Sequence, residues 1–263
     1  MSIQHCVAPR DVVFVQGDDA QAFLHSQLAQ DLSSVAISES VESLLLEPSG
    51  HVVALARVVR HADTVYTLDV DAGLGDVVIN RLSKFILRAK VTMRLSDFVV
   101  HSYWGHGARG AVGQGIGRAS VAWAVAGSDG YQDAVDFVGL DADAPKIGDE
   151  ASQKEWQMHR TDLHWPRVGT DIDVGDIPAS TGVTSVAVSF TKGCYPGQEL
   201  VERMDSRGSN APTVLRALRA ASYQVGDVIH QDGVDIGHIT SVGQKWALAR
   251  IKRGHEFGAV LGP

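Results

Sequence analysis

A chain of 263 residues, 44% hydrophobic and 21% charged, can bury a large core and has the balance of an ordinary globular protein. Its formal net charge of -8 argues against general binding to nucleic acid or to an anionic membrane, since both ask for a basic surface. No apolar run approaches the roughly 20 residues of a membrane span. The start, Met1-Ser2-Ile3-Gln4-His5-Cys6, lacks the basic residues and apolar core of a signal peptide, so a cytoplasmic protein with no membrane partner is the expectation. The two cysteines, Cys6 and Cys194, form no CxxC pair. They offer neither a disulfide framework nor a four-cysteine zinc or iron–sulfur site within one chain.

In chain order, Val12-Val13-Phe14-Val15 reads as a strand broken by Gly17-Asp18-Asp19. Asp18 and Gln21 resemble a capping box opening a helix over 19–32, with Leu24, Leu28 and Leu32 on its buried face. Two apolar runs, 43–46 and 52–56, flank Pro48-Ser49-Gly50 and predict a hairpin. A half-buried strand over 65–70, a helix over 74–88 and a strand over 91–95 complete a split βαβ pattern, that of an α+β lobe. Strands are expected at 98–100 and 121–125. Between them, Gly105-His106-Gly107-Ala108-Arg109-Gly110 is a literal GxGxxG. A dinucleotide loop needs a helix directly after the glycines. The glycine-rich continuation is a poor helix, so a loop is expected. A helix over 149–163 follows; His159 and His164 are five apart, off the helical metal-ligand spacing, and are read as ordinary histidines.

The most informative stretch is Thr191-Lys192-Gly193-Cys194-Tyr195-Pro196-Gly197-Gln198-Glu199-Leu200. The apolar run 186–190 before it and the amphipathic run 199–204 after it suggest strand, tight turn, helix, with Pro196 at the first helical position. A helix N-terminus and a nearby lysine both favour a thiolate. Lys192 and Cys194, two apart on an extended segment, would share a face. The chemistry is then an activated thiol, or a small anion and dipole site. Beyond 207 short strands alternate with glycine turns at 214–218, 228–230, 234–240 and 245–251, which predicts a small all-β unit.

Lys192-Gly193-Cys194-Tyr195-Pro196-Gly197-Gln198-Glu199 matches every fixed position of K-G-C-Y-x-G-Q-E, the hallmark of the YgfZ-type folate-binding proteins, relatives of the glycine-cleavage T-protein (aminomethyltransferase). The resemblance covers nearly the whole chain. Gly17, Asp19, Phe23-Leu24, Gln27-Leu28 and Asp31 resemble the family's N-terminal block. Arg160, Pro166, Gly169 and Asp171 resemble the segment before the signature, Arg203 and Arg207-Gly208 the one after it, and Thr240-Ser241-Val242 with Ala247-Leu248-Ala249 the C-terminal barrel.

The resemblance implies an α+β, T-protein-like fold: ferredoxin-like lobes around a central cavity over 1–207, and a small C-terminal β-barrel over 208–263. It implies a tetrahydrofolate-binding accessory protein that supports iron–sulfur cluster assembly or repair, with tetrahydrofolate or a derivative as cofactor and iron–sulfur client or assembly proteins as partners. Lys192 and Cys194 would be the functional pair. Tyr195, Gly197, Gln198, Glu199, Arg203, Arg207, Gln27 and Asp31 would bind folate or shape its site. Two other readings stay open: aminomethyl or other one-carbon transfer, and a non-catalytic folate-sensing scaffold. T-proteins carry an acidic pair just after the hairpin glycine, where this chain has His51-Val52-Val53-Ala54. That removes a carboxylate able to steer a proton. The chain is also short for the family between 97 and 150.

Overall fold

The computed structural model describes residues 2–115, 119–121, 133–206, 211–220, 222–255 and 257–261. Runs of β-branched and leucine residues build a first sheet from β2 (Arg10–Gln16), β3 (Ser40–Leu46), β4 (Val52–Ala62), β5 (Val65–Asp71) and β6 (Thr92–Leu95). Its order is β3-β4-β5-β2-β6, antiparallel throughout. Helices α1 (Ala20–Gln27) and α2 (Gly75–Ser83) close one face, burying Phe23, Leu24, Val78 and Leu82 against Val13, Val58 and Leu68.

The second sheet takes the strand that opens the chain, β1 (Gln4–Ala8), together with β7 (Val99–Trp104), β8 (Ala119–Val121), β9 (Ala134–Gly139) and β10 (Asp149–Glu150), in the order β10-β1-β7-β9-β8. Periodicity gave no hint of β1 or β9. The expected strand over 121–125 lies mostly outside the described residues. Helix α3 (Ala108–Gly115) directly follows the glycine turn, against the loop expected there. It does not make a dinucleotide fold, because both neighbours of β7 in the sheet are antiparallel to it. Gly105 is required by packing instead: at φ +107, its Cβ would lie 2.5 Å from the Ser2 carbonyl oxygen.

Helix α4 (Gln153–Asp162) opens on a capping box in which Ser152 and Glu155 bond each other's backbone N–H. The third sheet holds β11 (Thr213–Arg219), β12 (Val228–Gln231), β13 (Val234–Val242), β14 (Trp246–Lys252) and β15 (Ala259–Val260), antiparallel in the order β12-β13-β14-β11-β15. Four of these strands match the expected ones closely.

Two buried polar ties join the sheets. Arg57, 0% exposed, donates to Asp69 at 2.7 Å in its own sheet and to Asp136 of β9 at 2.8 Å. Glu42, beside Arg57 across β3 and β4, is pushed up to about 8 by burial, so its carboxyl is protonated at neutral pH. Arg160 of α4 donates to Asp171 at 2.6 Å and to Ser241 of β13 at 2.6 Å, while Thr240 and Ser241 also donate to Asp171. These residues come from three separate blocks of the sequence. Breaking one such buried pair costs about 3–5 kcal/mol, which explains why the third sheet is held in a set place.

The first helix ends earlier than 19–32 suggests. Leu28 leaves helical geometry and bridges Leu45, and the Ala29 N–H donates to the Leu44 carbonyl, so β3 captures the chain. The capping box expected from Asp18 and Gln21 is absent: the N-cap is Asp19, its carboxylate accepts the Lys90 N–H at 2.8 Å, and Asp18 pairs with the Lys90 ammonium at 3.3 Å.

Candidate functional site

The approach to the signature is helical rather than extended. Thr184–Ala187 forms the one-turn helix α5, Val188 is extended, and α6 (Gln198–Ser206) begins after the turn. Burial of Ala187 and Val188 in the central core, beside Trp165 and Tyr195, overrides the β-branched composition. Pro196 lies two residues ahead of α6 rather than at its first position.

Two glycines fix the turn. Gly197 has φ +88, and a Cβ there would lie 2.7 Å from the Glu47 carbonyl oxygen and 2.8 Å from the Cα of Gly50. Gly50, at φ +91, would put its own Cβ 2.4 Å from the Leu200 Cβ. The β3–β4 hairpin turn and the signature turn therefore touch backbone to backbone, which only glycine permits at both positions.

Lys192 is the anchor. It is 9% exposed, and its ammonium donates to the carbonyls of His25, Leu28 (2.7 Å) and Gln30 (3.2 Å). Those three bonds use all three N–H donors of an ammonium. The acceptors lie at the C-terminal end of α1, where the macrodipole is negative. Burial pushes Lys192 down to about 8, with Asp31 pulling the other way. The three carbonyls and the helix end also favour the cation, so it is charged at neutral pH. The same charge, after burial, depresses His25, which accepts the Leu32 N–H at Nδ1, 3.3 Å.

Cys194 is exposed, so the turn sends Lys192 inward and the thiol outward rather than giving them one face. Tyr195 is buried in the core, 5.2 Å under the Lys192 ammonium, and burial raises its hydroxyl to about 12. The side-chain oxygen of Gln198 accepts the Tyr195 N–H at 3.4 Å, and its amide donates to Glu202 at 2.6 Å. Glu199 and Arg203 are exposed. Gln27 is 8% exposed, and its Oε1 is buried without a hydrogen-bond partner among the described residues. Asp31 caps Ser33 and is held below the usual carboxylate range by those bonds. Gln27, Asp31, Lys192 and Tyr195 thus gather around the end of α1, joined by His25, which the sequence did not single out. Arg207 lies outside the described residues.

A cavity of about 520 Å³ lies elsewhere, lined by Ser2, Gln4, Trp104, Gly105, His106, Asp133, Glu155, His159, Asp162, Gln244 and Lys245. Its walls come from the end of the second sheet, the outer side of α4 and the β13–β14 turn. None of the expected site residues lines it. The His159 ring stacks on Trp104, centroids 4.7 Å apart and planes within 11°. Burial pushes His159 down to about 4, so the imidazole is neutral at physiological pH. Among the described residues no group of three or more His, Cys, Asp or Glu could hold a metal ion, and no helix is long and apolar enough to cross a membrane.

No family model matches the chain. The solved structure of glycine cleavage system aminomethyltransferase T from Bartonella henselae superposes with a TM-score of 0.75 at 16% identity, covering 95% of this chain and 78% of that one. Relatives named tRNA-modifying protein YgfZ are 25% identical in Vibrio vulnificus, over 90% of this chain and 75% of theirs, and 23% identical in Aliivibrio fischeri, over 94% and 80%. An uncharacterized protein of Haemophilus influenzae is 24% identical over 76% of this chain and 67% of its own. The three-sheet fold with its glycine-locked turn defines a T-protein-like α+β protein. Within that class the chain is similar to proteins of the YgfZ type.

Proposed function

We propose that this protein binds tetrahydrofolate or a derivative and supports iron–sulfur cluster assembly or repair on client proteins, with Cys194 as its reactive thiol. One observation carries the reading: a complete signature turn, pinned by Lys192 within and Gly197 below, presents the Cys194 thiol to solvent. A thiol held on a rigid turn is placed to act as a nucleophile or to ligate iron contributed by a client. Lys192 positions the turn in this reading. Gln27, Asp31, Tyr195, Gly197 and Gln198 shape it, and Glu199, Arg203 and Arg207 extend along the helix that follows.

Among the described residues a cavity of about 520 Å³ has a usual size for a drug-like ligand, and it stands apart from the signature turn, whose residues are the ones expected to meet folate. Asp133, Glu155 and Asp162 give its lining an acidic balance, which disfavours the glutamate tail of a folate. The part over 1–207 supplies most of the wall, and the C-terminal unit over 208–263 supplies Gln244 and Lys245.

Aminomethyl transfer is disfavoured because Val52, Val53 and Ala54, at 1%, 2% and 0% exposed, are packed into the core where a T-protein would hold carboxylates. The relatives' name speaks of tRNA modification. A net charge of -8 is poorly suited to docking tRNA directly, so that activity fits a client enzyme better than this chain. Calorimetry with tetrahydrofolate is the first test, and absence of any heat or melting shift removes folate from the account. In cells lacking the native protein, normal iron–sulfur enzyme activities with Cys194→Ala would reject the thiol's role.

A further inference from the structure

Helix α2 and the chain after it carry an unbroken run of positive charge. Between residues 77 and 96 stand Arg81, Lys84, Arg88, Lys90 and Arg94 and no acid, in a chain whose net charge is -8. Leu87 lies in the middle of that run. At 89% exposed, it is the most exposed large apolar side chain among the described residues. Lys84 and Arg88 are exposed and make no ion pair with a described residue, while Lys90 pairs with Asp18 at 3.3 Å.

A single leucine at a surface is ordinary. Leu87 differs because the loop that holds it out is ordered from both sides. Phe85, Ile86 and Ala89 pack against the core that α1 and α2 close over the first sheet, and Val91 is buried in it. The N–H groups of Phe85, Ile86 and Leu87 donate to the carbonyls of Leu82, Ser83 and Phe85 at 3.0, 3.3 and 3.1 Å. Asp19 holds the Lys90 N–H at 2.8 Å. The Arg81 guanidinium lies 4.3 Å over the Phe85 ring and donates twice to the Leu46 carbonyl, at 3.0 and 2.6 Å, at the foot of the hairpin that meets the signature turn. The loop is thus carried on the frame that also carries Cys194.

We propose that Leu87, with the flanking cations Lys84, Arg88 and Lys90, is a docking knob for a protein partner that offers an apolar pocket rimmed by carboxylates. An apolar centre with a charged rim is the make-up of a protein–protein contact. The cations steer an acidic surface toward the loop, and burial of the leucine holds it there. A membrane surface asks for a broad apolar face or a second anchor, and one leucine is neither. A nucleic acid stacks its bases on exposed rings, whereas the one aromatic ring of this loop, Phe85, is partly buried under Arg81. The assignment stands apart from the folate and thiol readings.

The test places a photoreactive benzoylphenylalanine at Ser83, an exposed position that leaves Leu87 and the cations intact, in the full chain and in the organism that makes it. A second chain carries the same probe at Val174, which is also exposed. A protein captured from position 83 and not from 174 is identified by mass spectrometry, purified and titrated into the parent by calorimetry. The expected result is binding that weakens as salt is raised, and that is at least about tenfold weaker both for Leu87→Ser and for the pair Lys84→Ser and Arg88→Ser. Affinities within about twofold of the parent for either variant overturn the assignment, since they lie inside the range of neutral surface changes. So does capture of no protein, of a second copy of this chain, of lipid, or of an adduct destroyed by ribonuclease.

Discussion

The signature turn and the cavity are built on opposite principles. At the turn, hydrogen-bonding capacity is spent on the protein itself: three carbonyls take the three N–H groups of Lys192, and Gln198 bridges Tyr195 and Glu202. The thiol of Cys194 is left facing out. At the cavity the carboxylates hold walls together, while the His159 imidazole lies stacked on Trp104 and is kept neutral by burial. A turn that presents a thiol and a pocket whose polar groups brace its own walls are different constructions. The contrast also changes the reading of Lys192: a cation fully committed to backbone carbonyls positions the thiol's turn and has no N–H left for a ligand.

That contrast is sharpest in stability. Lys192→Met would leave three carbonyls at the end of α1 without their donor. At about 1–3 kcal/mol for each buried unsatisfied group, reduced by partial rehydration, a loss of about 4 kcal/mol is expected in urea unfolding. A change below about 0.5 kcal/mol would show that the anchor is not one.

The next effect belongs to the cavity and depends on pH. His159 titrates near 6.5 when unfolded and about 4 in the folded protein. Between those values the unfolded chain binds more protons, so stability present above pH 6.5 is lost as the pH falls toward 4. The contribution is at most about 3 kcal/mol. Denaturation curves from pH 7 to pH 4 should be correspondingly flatter for His159→Phe than for the parent, and parallel curves would contradict a partly buried, neutral imidazole.

Gly197→Ala forces a side chain into positive φ against the Glu47 carbonyl and the Gly50 backbone. About 2 kcal/mol of destabilisation is expected, read as a lower melting temperature. The smallest effect is Cys194→Ala. An exposed side chain off the core should change stability by less than about 0.5 kcal/mol, while the proposed thiol is removed. A marked loss of stability would make Cys194 a packing residue and weaken the comparison at its root.

Much of the frame was legible because its signals are local. The hairpin around Gly50 and four strands of the third sheet follow from alternation and glycine turns. What failed did so for tertiary reasons. Residues 186–190 look like a strand, yet the core takes them as a helical turn and one extended residue. Helix α3 forms despite its glycines, packed by Ala108 and Val112 against Val135 and Phe137. The capping box at Ser152 and Glu155 was present in the sequence as S-x-x-E and could have been found there.

The sequence by itself determined the α+β class, the kinship and the eight-residue turn with its thiol, because spacing and residue type are properties of neighbours along the chain. Only the tertiary structure decided what Lys192 does and where the cavity lies. The acceptors of Lys192 stand 162 to 167 positions away, and the cavity joins Gln4, Trp104, His159 and Lys245. Hydrogen bonds and stacking act over a few ångströms of space, a distance on which separation along the chain has no bearing.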